Sequence, residues 1–270
     1  MIHPLLSIQA RFQTFRLKHF RHTKHGRYMK KIHNTHLGES CFVIGNGPSL
    51  SAEDLTALHE AGIATFAVNR VFKIFPQTPW RPTYYVSTDP VLIRDTLEDV
   101  EALPTKHKFI PLQNKFYHNI KVTGAHYFFR NDLREKDQPD GFSLDCTDQV
   151  NMRGTVTIAC TQFAMHMGYR HIYYLGVDHN FDKIITENGE VIIDPSVKNY
   201  FCEGYDDDVA NEVVHDLGNT TRSYMDVKKF VDKHDVHVYN ATRKTKLEVF
   251  PKVTFEEALR DIKERNAHGK

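Results

Sequence analysis

The sequence predicts an α/β fold of the Rossmann-like, doubly wound kind: a mostly parallel sheet with helices on both faces and a small lid insertion. Three observations predict it. Short apolar runs such as "CFVIG" and "HIYYLGVD" lack the alternation of a half-exposed strand, as strands covered on both faces do. Segments of helical period separate these runs, the order of elements that a parallel sheet needs. A stretch at about 180–220 interrupts the order just after a strand's carboxyl end, where a doubly wound sheet binds its ligand.

The chain divides into a basic arm (1–36), an α/β domain (37–262) with its lid at about 180–220, and a polar tail (263–270). In the arm, Leu5, Ile8, Phe12 and Phe15 recur at helical spacing among arginines and lysines. Residues 1–38 hold eight Lys/Arg and no Asp/Glu, while the remainder holds 27 basic against 34 acidic residues. A basic amphipathic helix over residues 1–31 suits an anionic membrane surface, and equally suits packing on its own domain or a dimer mate. Nucleic acid is not expected as a partner, because the acidic body would repel it. His19, His22 and His25 rotate around the helix instead of lining one face, so no metal site is expected there.

Within the domain, "CFVIG" is a strand and "SAEDLTALHEAG" a helix with Ser51 and Asp54 as a capping box. "IATFAVN" and "PTYYVSTD" are strands, "VLIRDTLEDVEAL" a helix, and "HKFIPL" and "HYFFR" further strands. "TVTIACTQFAMHMGY" is a helix ending at Gly168, followed by the buried strand "HIYYLGVD". The lid should contain a hairpin turning at Asn188-Gly189. The helix "MDVKKFVDKHD", the strand "VHVYNAT" and the capped helix "TFEEALRDIKERN" complete the domain. No run approaches the roughly 18 apolar residues of a membrane span, Arg11, Arg16 and Lys18 interrupt any signal-peptide core, and the four cysteines form no CxxC pair. Reduced thiols and a cytoplasmic location are the expectation.

The candidate site follows from strand ends. Gly45 and Gly47 permit a sharp turn after the first strand, and with Asn46 and Ser49 they lead into a helix whose free N–H groups favour phosphate. A third glycine is absent, because Leu50 follows Ser49, and the second strand ends in Asn69 instead of an acid, so NAD is disfavoured. Asn46, Asn69 and Asp89 end three parallel strands and should converge, the two asparagine amides suited to a base edge or ribose hydroxyl. Arg153, Gly154 and Thr155 precede a helix N-terminus and suit a sugar or phosphate. Asp178 and His179 end a further strand and are both candidate catalytic residues. His179, or His215 within the lid, is the candidate base for an acceptor hydroxyl.

The segments "CFVIGNGPSL", "FAVNR", "PTYYVSTDP", "RGTVTIACTQFAMHMGYRHIYYLGVDHNF" and "VYNATRKTKLEVFPKV" together resemble the bacterial MptE-like superfamily, over about residues 37–260. That group is named after archaeal 6-hydroxymethylpterin diphosphokinase and is related to the family-42 sialyltransferases. The resemblance implies that Gly45–Leu50 cradles the cytidine nucleotide of a CMP-linked acid sugar, that Asn69 contacts the donor, and that Arg153 and Thr155 lie beside the sugar. Asp89 replaces a donor-contacting asparagine. Asn180 stands where one phosphate-stabilising tyrosine would be, and Tyr200 or Tyr205 replaces the other only by position; His215 is displaced from the family's catalytic histidine, with Asn219 nearer that place.

The expected function is a glycosyltransferase of bacterial surface-polysaccharide synthesis, taking a nucleotide-sugar donor and a glycan or glycolipid acceptor at the inner face of the inner membrane. No cofactor is implied. Two rivals are weighed: an ATP-dependent diphosphokinase using Mg²⁺ held by Asp89 and Asp178, and a membrane-associated adaptor without catalysis. A homo-oligomer stays open.

Overall fold

The computed structural model describes residue 15 and residues 19–131, 142–152, 154–186, 188–205 and 214–268. Leu5, Ile8 and Phe12 of the basic arm, Arg153, and the acidic part of the lid at 206–213 lie outside the described residues.

Helix α1 (Lys24–Ile32) starts at Thr23, whose hydroxyl accepts the Gly26 amide. Its Met29, with Phe20 just ahead of it, is buried in the main core. Burial of one such side chain contributes roughly 1.5–3 kcal/mol. His25 Nδ1 also accepts the Tyr127 amide at 3.2 Å. This end of the basic segment therefore packs on its own domain.

The chain then alternates as expected. β1 (Ser40–Ile44), α2 (Ala52–Glu60), β2 (Thr65–Val68), a 3₁₀ helix (Val71–Gln77) and β3 (Tyr84–Val86) come first. α3 (Pro90–Asp95), α4 (Leu97–Ala102), β4 (His107–Pro111), α5 (Leu112–Tyr117) and β5 (Ala125–Phe128) follow. The short pair β6 (Arg130–Asn131) and β7 (Val150–Asn151) leads to α6 (Val156–Met167) and β8 (His171–Leu175). β9 (Lys183–Ile185), β10 (Val191–Ile193) and β11 (His215–Asp216) form a separate three-stranded sheet. α7 (Leu217–Val231), β12 (His237–Asn240) and α8 (Phe255–His268) end the domain.

The main sheet has seven strands in the order β12-β8-β1-β2-β3-β4-β5, every pairing parallel. Alternate strand residues feed two cores. Val43, Val68, Phe109 and Tyr174 join α1, α6 and α7 on one face, while Ile44, Ala67, Ile110 and Leu175 join α2 and α8 on the other. Helix α6 is buried from Thr157 to Met167, so its polar groups must be satisfied internally. Thr161 donates to the Thr157 carbonyl, and His166 bridges the Cys146 amide and the Met29 carbonyl. Gly168 ends the helix at φ +100°, as the sequence predicts.

Three local features differ from expectation. The helix predicted over "VLIRDTLEDVEAL" breaks at Thr96, whose hydroxyl donates back to the Leu92 carbonyl and closes α3 before α4 begins. Ser51 caps α2, but Asp54 does not complete the box; its carboxylate is held bidentately by Arg243, at 3.0 and 2.7 Å. The helix predicted from Met225 starts at Leu217, because Asp216 accepts the Asn219 amide as an N-cap. That cap removes part of the expected lid. The lid's hairpin is present as antiparallel β9 and β10, with β11 added in parallel.

Candidate functional site

The strand order reverses beside β1: the chain runs outward from β1 to β5, then returns to place β8 on its other side. The turns leaving β1 and β8 thus flank the crevice at the carboxyl edge where doubly wound sheets bind ligands. These two turns touch. The Gly47 amide donates to the Gly176 carbonyl at 2.8 Å. A Cβ on Gly45 would lie 2.4 Å from the Gly176 oxygen, and one on Gly47 would lie 2.0 Å from Asp178 Oδ2. The glycines are required by the neighbouring turn, where the sequence suggested ligand approach.

The phosphate seat expected at Ser49 is occupied by the chain itself. Asp178 accepts the Ser49 amide at 3.2 Å and the Ser49 hydroxyl at 2.8 Å. Burial pushes its carboxyl up to about 6, against the opposing pull of the Ser49 hydrogen bonds. Asp178 is therefore a structural acceptor that ties the two turns together.

Around these turns lies a cavity of about 600 Å³, within the range of small-ligand sites. It brings together Asn46, Asn69, Asp89, Thr155, Asp178 and His179, and Gly154 and His215 also line it. Asn46 is buried; its Nδ2 donates to the Val68 carbonyl at 3.0 Å and to the Tyr205 hydroxyl at 2.7 Å, while its Oδ1 is buried without a hydrogen-bond partner among the described residues. Asn69 stands in the left-handed region at φ +51° and accepts the Ser87 hydroxyl at 3.3 Å. Asp89 caps α3 by accepting the Val91 and Leu92 amides. Both α3 amides fall on Asp89 Oδ1, whereas Asp178 uses both of its oxygens on Ser49.

On the far wall, Thr155 occupies the N-cap position of α6 without a side-chain capping bond. Its hydroxyl meets Thr157 at 3.2 Å, and Thr157 meets the Tyr224 hydroxyl at 2.6 Å. The uncapped N-terminus of a twelve-residue helix opens beside the cavity, and such a terminus favours negative charge. His179, at φ +55°, places Nε2 2.8 Å from the Thr221 hydroxyl and its ring edge against Tyr224. His215 stacks on Phe181 with centroids 3.7 Å apart. Burial pushes both imidazoles below their ordinary range, with Asp182 opposing at His215.

The resemblance offered Tyr200 or Tyr205 as a replacement for a phosphate-stabilising tyrosine, and the structure makes the two a clamp over the first turn. Tyr200 stacks on Tyr205 at 3.9 Å, and the Tyr205 hydroxyl accepts the Arg70 amide. Arg70 and Lys73 both donate to the Tyr205 carbonyl, at 2.6 and 3.1 Å. The signal available in the sequence was the arginine directly after Asn69, which the structure buries. Thr221 and Tyr224 were also missed, since nothing in the spacing of α7 marks them.

Comparison with known proteins adds a family and a fold. The family model described as 6-hydroxymethylpterin diphosphokinase MptE-like matches residues 16–183. It takes in α1, which the sequence resemblance left out, and ends at the lid. The solved structure of the MAf glycosyltransferase from Magnetospirillum magneticum AMB-1 matches with a TM-score of 0.50 and 15% identity, covering 86% of this chain and 38% of that one. The likeness is one of fold, and the chain spans well under half of that protein's length. No curated protein matches the sequence. Among the described residues, no helix is long and apolar enough to cross a membrane.

Proposed function

The chain belongs to the 6-hydroxymethylpterin diphosphokinase MptE-like family, and we propose that it is a glycosyltransferase using a nucleotide-activated sugar in bacterial surface-polysaccharide synthesis. A CMP-linked acid sugar is the first donor to test. The observation that carries this reading is the cavity at the strand-order reversal, where neutral amides line one wall and an uncapped helix N-terminus the other. The fold shared with a MAf glycosyltransferase supports it.

In this reading Asn46 and Asn69 hold the nucleotide. Because Asp178 fills the seat at Ser49, the departing phosphate lies at the N-terminus of α6, with Gly154 and Thr155 beside it. Donors fixed before reaction stabilise charge as it develops on the leaving oxygen, with no covalent nucleophile needed. His179 or His215 takes the acceptor's proton. The basic segment 1–31 would hold the enzyme at an anionic cytoplasmic surface, where a lipid-linked acceptor resides.

The family's own description favours a second reading, pyrophosphoryl transfer from ATP. Thermal shift of the purified protein separates the two. Stabilisation by CMP without metal supports the transferase, stabilisation by ATP only with Mg²⁺ supports the kinase, and no shift with either supports the adaptor. Turnover against a panel of nucleotide sugars then identifies the donor.

A further inference from the structure

His179 stands in an uncommon backbone conformation for a residue with a side chain, and such positions are held where the surroundings over-determine them. Its side chain is held by α7. His179 Nε2 lies 2.8 Å from Thr221 Oγ1, and Thr221 Oγ1 lies 2.8 Å from the Leu217 carbonyl. A hydroxyl carries one proton. If Thr221 gives it to His179, the contact with the carbonyl makes no bond. If Thr221 gives it to Leu217, His179 can donate Nε2–H to the Thr221 oxygen, and both contacts become hydrogen bonds. The second arrangement satisfies every group. Nδ1 is neither hydrogen-bonded to a described group nor sealed in the core, and His179 lines the cavity. His215 differs: its ring is held by stacking on Phe181, and no described side chain fixes its tautomer by a hydrogen bond.

We propose that Thr221 is a positioning residue that locks His179 as the Nε2–H tautomer, leaving Nδ1 as the base that takes the acceptor's proton. The assignment rests on the transferase reading above. In the step, the acceptor hydroxyl gives its proton to Nδ1, and its oxygen forms a bond to the anomeric carbon of the donor sugar. The bond from that carbon to the phosphate oxygen breaks, and its electron pair leaves with the phosphate. The resulting imidazolium still donates Nε2–H to the Thr221 oxygen, and the Thr221 hydroxyl still donates to the Leu217 carbonyl.

The test uses the full chain carrying ¹⁵N-labelled histidine, with the His179 signals assigned by their loss in His179→Gln. Wild type should show Nε2 protonated and Nδ1 bare. Thr221→Val should shift His179 toward the other tautomer and lower turnover at least about tenfold, with the CMP Kd unchanged. Thr221→Ser, which keeps the hydroxyl, should restore both. A wild-type Nδ1–H tautomer, or a Thr221→Val protein whose tautomer is unchanged, overturns the lock. The spectrum needs no substrate, so its failure is separate from failure of the transferase reading. A tautomer shift in a protein without transfer activity on any donor would keep the lock and overturn the base.

Discussion

Asn46 donates its side-chain amide to the Tyr205 hydroxyl at 2.7 Å, across 159 positions of sequence. The same hydroxyl accepts the Arg70 amide at 3.2 Å, and the Phe201 amide donates to the Asn46 carbonyl at 3.2 Å. The segment 199–205 is thereby latched to the first turn of the sheet. Tyr205→Phe leaves two buried donors without their acceptor and should cost about 1–2 kcal/mol. The effect should be local. Hydrogen exchange at Phe201 and Tyr205 should quicken while strands β1 and β8 keep their protection; unchanged exchange there would show that the latch contributes nothing.

Gly47 and Asp178 form the second constraint on that turn. Gly47→Ala places a Cβ 2.0 Å from Asp178 Oδ2 and 2.8 Å from the Gly176 carbonyl, so the carboxylate must leave its two bonds to Ser49. The expected loss is about 1–3 kcal/mol by chemical denaturation. Asp178→Ala opens the space, so the double variant should be more stable than the sum of the two single losses allows, by about 1 kcal/mol. Strict additivity would mean that Gly176, not Asp178, sets the requirement for glycine.

The sheet was legible because strands buried on both faces leave apolar runs, and Gly168 and Ser51 mark helix ends by chemistry that acts within a few residues. Thr96 and Asp216 were harder. Thr96 divides a helical period read correctly on either side, and Asp216 caps a helix that begins ahead of the period read from Met225. At the site, strand termini predicted the convergence of Asn46, Asn69 and Asp89, because parallel strands deliver their ends to one edge. They did not reveal that Asp178 would occupy Ser49, a contact 129 positions apart with no local signature. Thr221 lay beyond reach for the same reason, and Tyr205 was reached only by its position in the family resemblance.

Acid stability should be governed by the histidines that seat α1. His25 is lowered to about 4 by burial, with Lys24, Lys115 and His126 adding to it, and His126 is lowered to about 4 by burial and His107. Tyr28 stacks on His126 at 3.4 Å, and His25 Nδ1 must stay unprotonated to accept the Tyr127 amide. In the unfolded chain both protonate near 6.5, so the unfolded state binds more protons between pH 6.5 and 4. Their contribution is complete above pH 6.5 and is lost as pH falls toward 4. Asp178 acts oppositely, since its folded carboxyl holds a proton up to about pH 6 where the unfolded one has released it. Two groups outweigh one, so urea midpoints should fall on acidification through this window. His126→Phe should flatten the slope; an unchanged slope would place the sensitivity elsewhere.

Asn69 separates fold from binding most cleanly. At φ +51° its backbone is in a region that costs an ordinary side chain about 1–2 kcal/mol, and asparagine tolerates it. Asn69→Ala should therefore lose about that much stability, read as a lower Tm. Asn69→Gly accepts the conformation freely and should melt within about 0.5 kcal/mol of wild type, its relief offset by the greater freedom of glycine when unfolded. Both variants lack the amide that faces the cavity, so both should bind CMP about tenfold more weakly in calorimetry, the loss of one hydrogen bond. A glycine variant that melts and binds like wild type would remove Asn69 from the nucleotide site and leave the residue a purely conformational role at the end of β2.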